Sequence, residues 1–279
     1  MKAEVWISLQ KDPFFKTADP VMDVLLKNGV EIFIPEDFPK RYEGVCYGFC
    51  PDPDILIVLG GDGSIMKAAR RGAAIGAPIL GINLGRLGYL AELAPSDMEG
   101  LIRVINGEYT IEKRMMLEVS TSDKCGTESS VAVNDVVITH GNLSHMLETE
   151  IYCDGSSMGR YRSDGFIVST PTGSTAYSLA AGGPVIAPNL KGVCLTPICP
   201  HSLMARPIIV SDDSVIEIKY VSPSGPVSYL SVDGVECGVL PTGQSLIIKR
   251  SELTADFVRV NKELKKSFYD VLREKMSDI

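Results

Sequence analysis

Gly60-Gly61-Asp62-Gly63 stands where a strand must hand over to a helix. Residues 54–59 form an unbroken apolar run after Asp54, and residues 65–74 carry helical spacing. Glycines at such a junction let the backbone turn sharply and approach a ligand, and the helix start that follows offers unpaired N–H groups to an anion. A single carboxylate among three glycines has no neighbouring side chain to block it. The pairing suits a phosphate-bearing substrate and a base that takes a proton from a hydroxyl. Asp62 serves equally well as a residue that caps the helix. The segment is neither a Walker A loop, since no Gly-Lys-Ser/Thr follows, nor the dinucleotide fingerprint G-x-G-x-x-G.

The rest of the first hundred residues places this junction in an α/β domain. Strand signals fall at 5–9, 30–34, 54–59 and 78–82. Helical signals fall at 20–28, 65–74 and from Pro95-Ser96-Asp97 to about 105, with Gly29 and Asn106-Gly107 as stops. Strands separated by helices predict a Rossmann-like parallel sheet with helices packed on it. After Tyr109 the texture changes to short strands and Gly/Pro turns: 115–121, 131–139, 146–153, 166–169, 208–210, 215–220, 227–232 and 245–249, with one helical interruption at 175–181. Asp154-Gly155 reads as a tight turn. A final helix is expected at 261–275. The expected organisation is an α/β domain over 1–110, with the C-terminal helix of 255–279 packing back on it, and a β-rich domain over 111–254.

Composition narrows the partners. The chain has 279 residues, 45% hydrophobic and 22% charged, ordinary for a globular protein, and a net charge of −8. That charge disfavours duplex nucleic acid as a partner. The basic residues of 259–275 alternate with acidic ones and read as a solvated helix face. Seven cysteines are scattered without C-x-x-C spacing, which fits reduced thiols and a cytoplasmic protein, and no Cys/His cluster completes a metal site. No signal-peptide core or membrane-length run is seen, so no membrane partner is expected.

Two further segments carry chemistry. Asn134-Asp135 interrupts an apolar strand-like run; buried polar groups are costly unless paired, so the two mark either a ribose-binding pair or a bulge or strand end. Arg160-Tyr161-Arg162-Ser163-Asp164-Gly165 leads into Ser169-Thr170-Pro171-Thr172-Gly173-Ser174-Thr175-Ala176-Tyr177-Ser178, rich in hydroxyl donors before a helix start. Tyr177 could stack on a base, and the same segment would also serve as a polar turn. Ala180-Ala181-Gly182-Gly183-Pro184 reads as close packing. His140, His145 and His201 are too few for a His-rich metal site.

Taken in order, Gly60-Gly61-Asp62-Gly63, Asn134-Asp135, the block from Ser163-Asp164-Gly165 through Thr170-Pro171-Thr172-Gly173-Ser174-Thr175-Ala176-Tyr177-Ser178-Leu179, and Pro200-His201-Ser202-Leu203 with Arg206-Pro207 resemble the NAD kinase family. Gly81-Ile82-Asn83 and Leu87-Gly88-Tyr89-Leu90 join the likeness, which spans roughly 54–235. The resemblance implies ATP-dependent phosphorylation of the 2′-hydroxyl of the adenosine ribose of NAD, with NAD between an α/β and a β-rich domain. It implies that Asp62 acts on that hydroxyl, Gly63 helps hold phosphate, and Asn134 and Asp135 grip the adenosine. Thr175, Ala176, Tyr177 and Ser178 would form an adenine-side wall, and the set of contacts extends to Leu179 and Ala180. Arg162 and Asp164 would serve the other end of the dinucleotide, with a subunit interface as one place for it. Lys67, His145, Thr172 and Cys199 match further ligand-touching positions. Mg²⁺ would arrive with ATP, and the enzyme would be a homodimer or homotetramer. Ser64 stands where many members have Thr, and Val235 where many bacterial relatives have Gln. A lipid or sugar kinase with a similar glycine loop, and a dinucleotide-binding regulator without catalysis, are the rival readings.

Overall fold

A computed structural model describes residues 1–85, 88–121, 130–141, 145–222, 227–260 and 267–277. Two compact units account for the chain, one of residues 1–113 and 255–279, the other of residues 114–254.

The first unit opens with β1 (Lys2–Ile7), α1 (Ala18–Lys27), β2 (Glu31–Ile34), β3 (Cys46–Tyr47), β4 (Ile55–Gly60), α2 (Asp62–Ile75), β5 (Ile79–Asn83) and α3 (Met98–Ile105). Its strands are parallel in the order β3-β2-β1-β4-β5. Every residue of β4 and β5 is buried, as expected of parallel strands covered on both faces. Helix α1 buries Ala18, Val21, Met22 and Leu25, the i, i+3, i+4, i+7 stripe that seats a helix on a sheet. These side chains join Val5, Ile32, Ile57, Leu80 and Leu101 in one core. The order reverses between β1 and β4, since β1 leads on to β2 on one side and β4 leads to β5 on the other. In open α/β sheets, ligands bind beyond the carboxyl ends of the strands at such a reversal.

The second unit follows with β6 (Thr110–Thr121), which starts in the first unit, β7 (Ser130–Ala132), β8 (Asp135–His140), β9 (Leu147–Cys153), β10 (Ser156–Ser163), β11 (Gly165–Ser169), α4 (Tyr177–Ala180), β12 (Val193–Ile198), β13 (Ile208–Val210), β14 (Ile216–Tyr220), β15 (Ser228–Val232) and β16 (Val235–Val239). Strand β17 (Ser245–Arg259) ends back in the first unit, where Phe257 pairs with Ile79, and α5 (Phe268–Ser277) closes the described chain. Within the second unit, one sheet runs β10-β9-β14-β17, with β6 on β17 and β7 on β6; the other runs β13-β12-β11-β8-β15-β16. In the first of these sheets β10 pairs with β9, β9 with β14, β14 with β17 and β6 with β7 antiparallel, and in the second every neighbouring pair is antiparallel. Alternating burial on β14 and β15 sends Ile216, Ile218, Leu230 and Val232 into a core with Val136, Ile138, Phe166 and Leu246, the period-2 signature of a sheet with one packed face.

Several boundaries differ from expectation. Helix α2 starts at Asp62, three residues before the apolar period begins, because the extended Gly61 already serves as its N-cap. The expected strand at 131–139 is broken at Val133-Asn134, so the polar pair marks the end of one strand and the start of the next. Strands β3, β10, β12 and β16 are short, polar or Pro-containing and gave weak signals. Strand β17 continues ten residues past the expected stop at 249, through the charged stretch 250–254. The expected helix at 261–275 falls partly outside the described residues; α5 accounts for its second half.

Candidate functional site

In the first unit the fully buried β4 delivers Gly60 to the carboxyl edge of the sheet, and α2 starts two residues on. Asp62 occupies the first turn of α2 but does not cap its own helix. Its Oδ2 accepts the backbone N–H of Tyr89 at 2.9 Å and its Oδ1 that of Leu90 at 3.3 Å. Each oxygen keeps a second lone pair, so the carboxylate is fixed in place and remains able to accept another hydrogen. Gly88 makes this possible: a Cβ there would overlap the Asp62 carboxylate. Burial, and then the Asp62 charge, raise the Tyr89 phenol above its ordinary pKa. Asn83, opposite Gly60 on β5, is buried; its amide donates to the Gly85 carbonyl at 3.0 Å while its Oδ1 has no hydrogen-bond partner. Gly63 and Lys67 are exposed on the first turns of α2. In the loop after β1, the Lys11 ammonium rests against Gly61, in the space a side chain there would fill. A helix N-terminus, a lysine and a fixed carboxylate thus share one corner, a combination that suits a phosphate ester beside a hydroxyl.

In the second unit the break at Val133-Asn134 is held by Asp233, from the Asp233-Gly234 turn between β15 and β16. Its carboxylate accepts three successive backbone N–H groups: Val133 at 2.9 Å, Asn134 at 2.7 Å and Asp135 at 3.2 Å. From the other side, Thr170 accepts from Gly173 N–H at 3.0 Å and donates to the Val133 carbonyl at 2.6 Å, while its own N–H donates to the Asn134 carbonyl at 2.8 Å. Gly173 lies so close to that carbonyl that no Cβ would fit. The result is a rigid shelf carrying Asn134, whose Oδ1 is buried without a partner, beside Ser169, whose hydroxyl is also buried without one. Ser169 pairs directly with Asp135 across β11 and β8. Asp135 is 5% exposed, and burial first, then the nearby Asp233 charge, push its carboxyl up to about 7. Orphaned buried polar atoms call for a water or a ligand to complete them.

The other expected positions divide into open and closed groups. Tyr177, Leu179 and Ala180 are exposed on α4, with Thr175 and Ala176 half-buried before it. Ser178 turns inward instead, fully buried and 2.9 Å from the Thr196 hydroxyl, so its side chain serves packing. Thr172 is buried and accepts from Arg114 at 3.2 Å. Asp164 lies between β10 and β11, 3.2 Å from His140 Nε2. Arg162, on β10, pairs with Glu148 at 3.3 Å. Cys199 is exposed and adopts φ +44°, and His145 is exposed. The roles of Asp233 and Tyr89 escaped the sequence reading. Only the polar turn Asp233-Gly234 carried a signal that could have exposed the first. Among the described residues, no group of three or more His, Cys, Asp or Glu side chains is placed to hold a metal ion, and no helix is long and apolar enough to cross a membrane.

Comparison with known proteins gives this arrangement a relationship. Residues 42–109 match the ATP-NAD kinase N-terminal domain and residues 133–260 the ATP-NAD kinase C-terminal domain. The NAD kinase of Moorella thermoacetica is 42% identical over 282 residues, covering 97% of this chain and 88% of that protein. The NAD kinase of Heliobacterium modesticaldum is 41% identical over 225 residues, covering 80% and 78%. Among solved structures, yeast NADH kinase complexed with NADH superposes with a TM-score of 0.82 at 26% identity, over 99% of this chain and 87% of that one. An NAD kinase from Archaeoglobus fulgidus in complex with ATP gives 0.76 at 26% identity, over 98% and 99%. With both family domains matched in order and a relative 42% identical over 97% of the chain, the chain belongs to the NAD kinase family.

Proposed function

We propose that this protein is an NAD kinase, transferring the γ-phosphoryl group of ATP to the 2′-hydroxyl of the adenosine ribose of NAD to give NADP. The observation that carries the chemistry is the Asp62 carboxylate, held by two backbone N–H groups at the N-terminus of α2 with acceptor capacity to spare. Phosphoryl transfer needs alignment, charge neutralisation and a positioned nucleophile more than covalent help. Asp62 orients the ribose hydroxyl and accepts its proton as the bond to phosphorus forms. Gly63, at the start of α2, and Lys67 on its next turn hold phosphate. A divalent ion, Mg²⁺, would enter as part of the MgATP substrate and would offset the charge of its phosphates.

For the adenosine of NAD, Asn134 and Asp135 supply hydrogen bonds to the base and ribose, and the orphaned Asn134 Oδ1 supports that role. Thr175, Ala176, Tyr177, Leu179 and Ala180 form the wall beside the base; the exposed Tyr177 ring supports stacking. Ser178 and Thr172 contribute through the backbone they brace, since both side chains are buried. Arg162, Asp164, His145 and Cys199 serve the remaining half of the dinucleotide. The protein works as a homodimer or homotetramer in the cytoplasm; the side chains of Leu203 and Met204, 88% and 84% exposed, support self-association. The six described cysteines, all free thiols, support a reducing compartment.

The test is incubation of the purified protein with NAD, ATP and Mg²⁺, with NADP read by an NADP-specific dehydrogenase. NADP should form with NAD as acceptor, and neither diacylglycerol nor fructose 6-phosphate should replace it. NAD binding without any NADP under varied donor and metal would reject the kinase in favour of a non-catalytic regulator.

A further inference from the structure

We propose that the carboxyl ends of β1, β2 and β3 form the pocket for the purine base of the phosphoryl donor, a site separate from the shelf assigned to NAD. A cavity of about 240 Å³ opens there, walled by Trp6, Pro35, Phe38 and Phe49, with Leu9 at its side and the Asp37 carboxylate as its one acid. That volume lies under the ~300 Å³ at which drug-sized sites begin, so it suits one flat heterocycle and not a whole nucleotide.

The walls are built, not incidental. Trp6 donates its indole N–H to Glu4 Oε1 at 2.8 Å. Glu4, wholly buried, is clasped by Arg71 through two bonds of 2.7 Å and by the Cys50 N–H at 3.0 Å. The same Arg71 guanidinium lies 4.5 Å from the centroid of the Phe49 ring, whose other neighbour is Trp6 at 6.3 Å. Phe49 remains 59% exposed although it is held from behind, an unusual state for a large apolar ring. Phe38 is fixed across the cavity by an edge-on contact with Phe15 at 5.9 Å. Aromatic rings lining a cavity at the mouth of a sheet favour a stacked base, and a single carboxylate can accept hydrogens from an exocyclic amine.

Position identifies which nucleotide. Ile7, at the end of β1, pairs with Leu59, one residue before the glycine loop, and the Ser8 N–H donates to the Leu59 carbonyl at 2.9 Å. The loop that follows gives Leu9 to the cavity and, two residues on, Lys11 to Gly61. One loop therefore joins an aromatic slot to the phosphate corner of α2. A molecule with a base at one end and a polyanion at the other matches both, and all these residues lie in the first unit. This inference rests on the kinase reading for its choice of the donor nucleotide over other purines.

Trp6 is the one tryptophan of the chain, so its fluorescence reports on this cavity alone. A non-hydrolysable ATP analogue with Mg²⁺, added without NAD, should quench it saturably; adenosine should also quench, and tripolyphosphate should not. The exposed-ring variant Phe49→Ala should raise KM for ATP about tenfold, within the range seen on removing a base-stacking aromatic. Its KM for NAD and its kcat at saturating ATP should stay within about twofold, since the ring touches neither the acceptor nor the reacting atoms in this account. Asp37→Asn should narrow the preference for ATP over ITP, whose 6-oxo group faces a carboxylate in the unaltered protein. NADP formation with no ATP-dependent change in Trp6 fluorescence and an unaltered KM for ATP in Phe49→Ala would overturn the pocket and leave the kinase standing. Quenching by NAD as strongly as by the ATP analogue would overturn the donor assignment. An inactive wild-type protein whose Trp6 is still quenched by the analogue would uphold the pocket and defeat the kinase.

Discussion

The Asp233 carboxylate accepts the backbone N–H of Asn134 at 2.7 Å, across a separation of 99 residues, and so fixes the backbone from which the Asn134 amide projects. Asp233 does this from a left-handed conformation at φ +49°, one that Asp tolerates better than most residues. Removing its side chain strands three partly buried donors. Asp233→Ala should lower unfolding free energy by about 2 kcal/mol, within the usual cost of unpaired groups, read from urea denaturation. Asp233→Asn, which keeps one acceptor oxygen, should recover part of that loss; equal losses in the two variants would remove the capping role.

Asp135 gives the protein a pH dependence of definite sign. Burial, aided by the Asp233 charge, raises its carboxyl to about 7, against about 3.9 for a free aspartate. Between those values the folded chain binds more protons than the unfolded one, so this group's contribution to stability is full below about 4 and is lost as pH rises through about 7. The difference in urea midpoint between wild type and Asp135→Asn should shift in favour of the variant over that window. A difference independent of pH would place the titration elsewhere.

Asp62→Asn should leave the fold intact and cut turnover at least about a hundredfold, the lower range for loss of a general base. The amide oxygen can still accept the Tyr89 N–H, so far-UV circular dichroism should be unchanged. Turnover near wild type would deny Asp62 its role.

Gly88→Ala tests the support of that carboxylate without touching it. The added methyl competes with the Asp62 oxygens for the same space. The variant should lose kcat much more than it raises either Michaelis constant, because the base is displaced while both substrates still bind. A normal kcat would mean that the loop shifts freely and Asp62 needs no such seat.

Asn134→Ala removes a side chain proposed to face adenosine. KM for NAD should rise about tenfold, the order expected for one lost hydrogen bond, with KM for ATP nearly unchanged. Parallel rises in both constants would assign Asn134 to something other than the acceptor.

How much of this was readable before folding depends on the range of the interaction. The glycine loop was legible because its strand, turn and helix are neighbours in sequence and each obeys a local rule. Asn134-Asp135 was conspicuous as a polar pair in an apolar run, and a strand end was one of its two readings, but what holds the break was not legible, because Asp233 lies 99 residues on. Ser178 looked like part of a binding wall; its burial against Thr196 follows from the position of β12, a strand whose Pro197 masked it. The aromatic slot left no trace in the sequence at all. Trp6 lies near the end of β1, Phe38 after β2 and Phe49 after β3, and they meet only because β1, β2 and β3 run side by side.

The sequence by itself determined the alternation of strand and helix, the change to β texture after Tyr109, and the position of one carboxylate among glycines. Periodicity and turn chemistry act over a few residues and need no partner. Tertiary structure decided which lone pairs stay free: Asp62 is seated by Tyr89 and Leu90, Asn134 is propped by Asp233 and Thr170, and Ser178 is consumed by Thr196. A hydrogen bond depends on distance and direction between groups far apart in the chain, and only the folded backbone sets those.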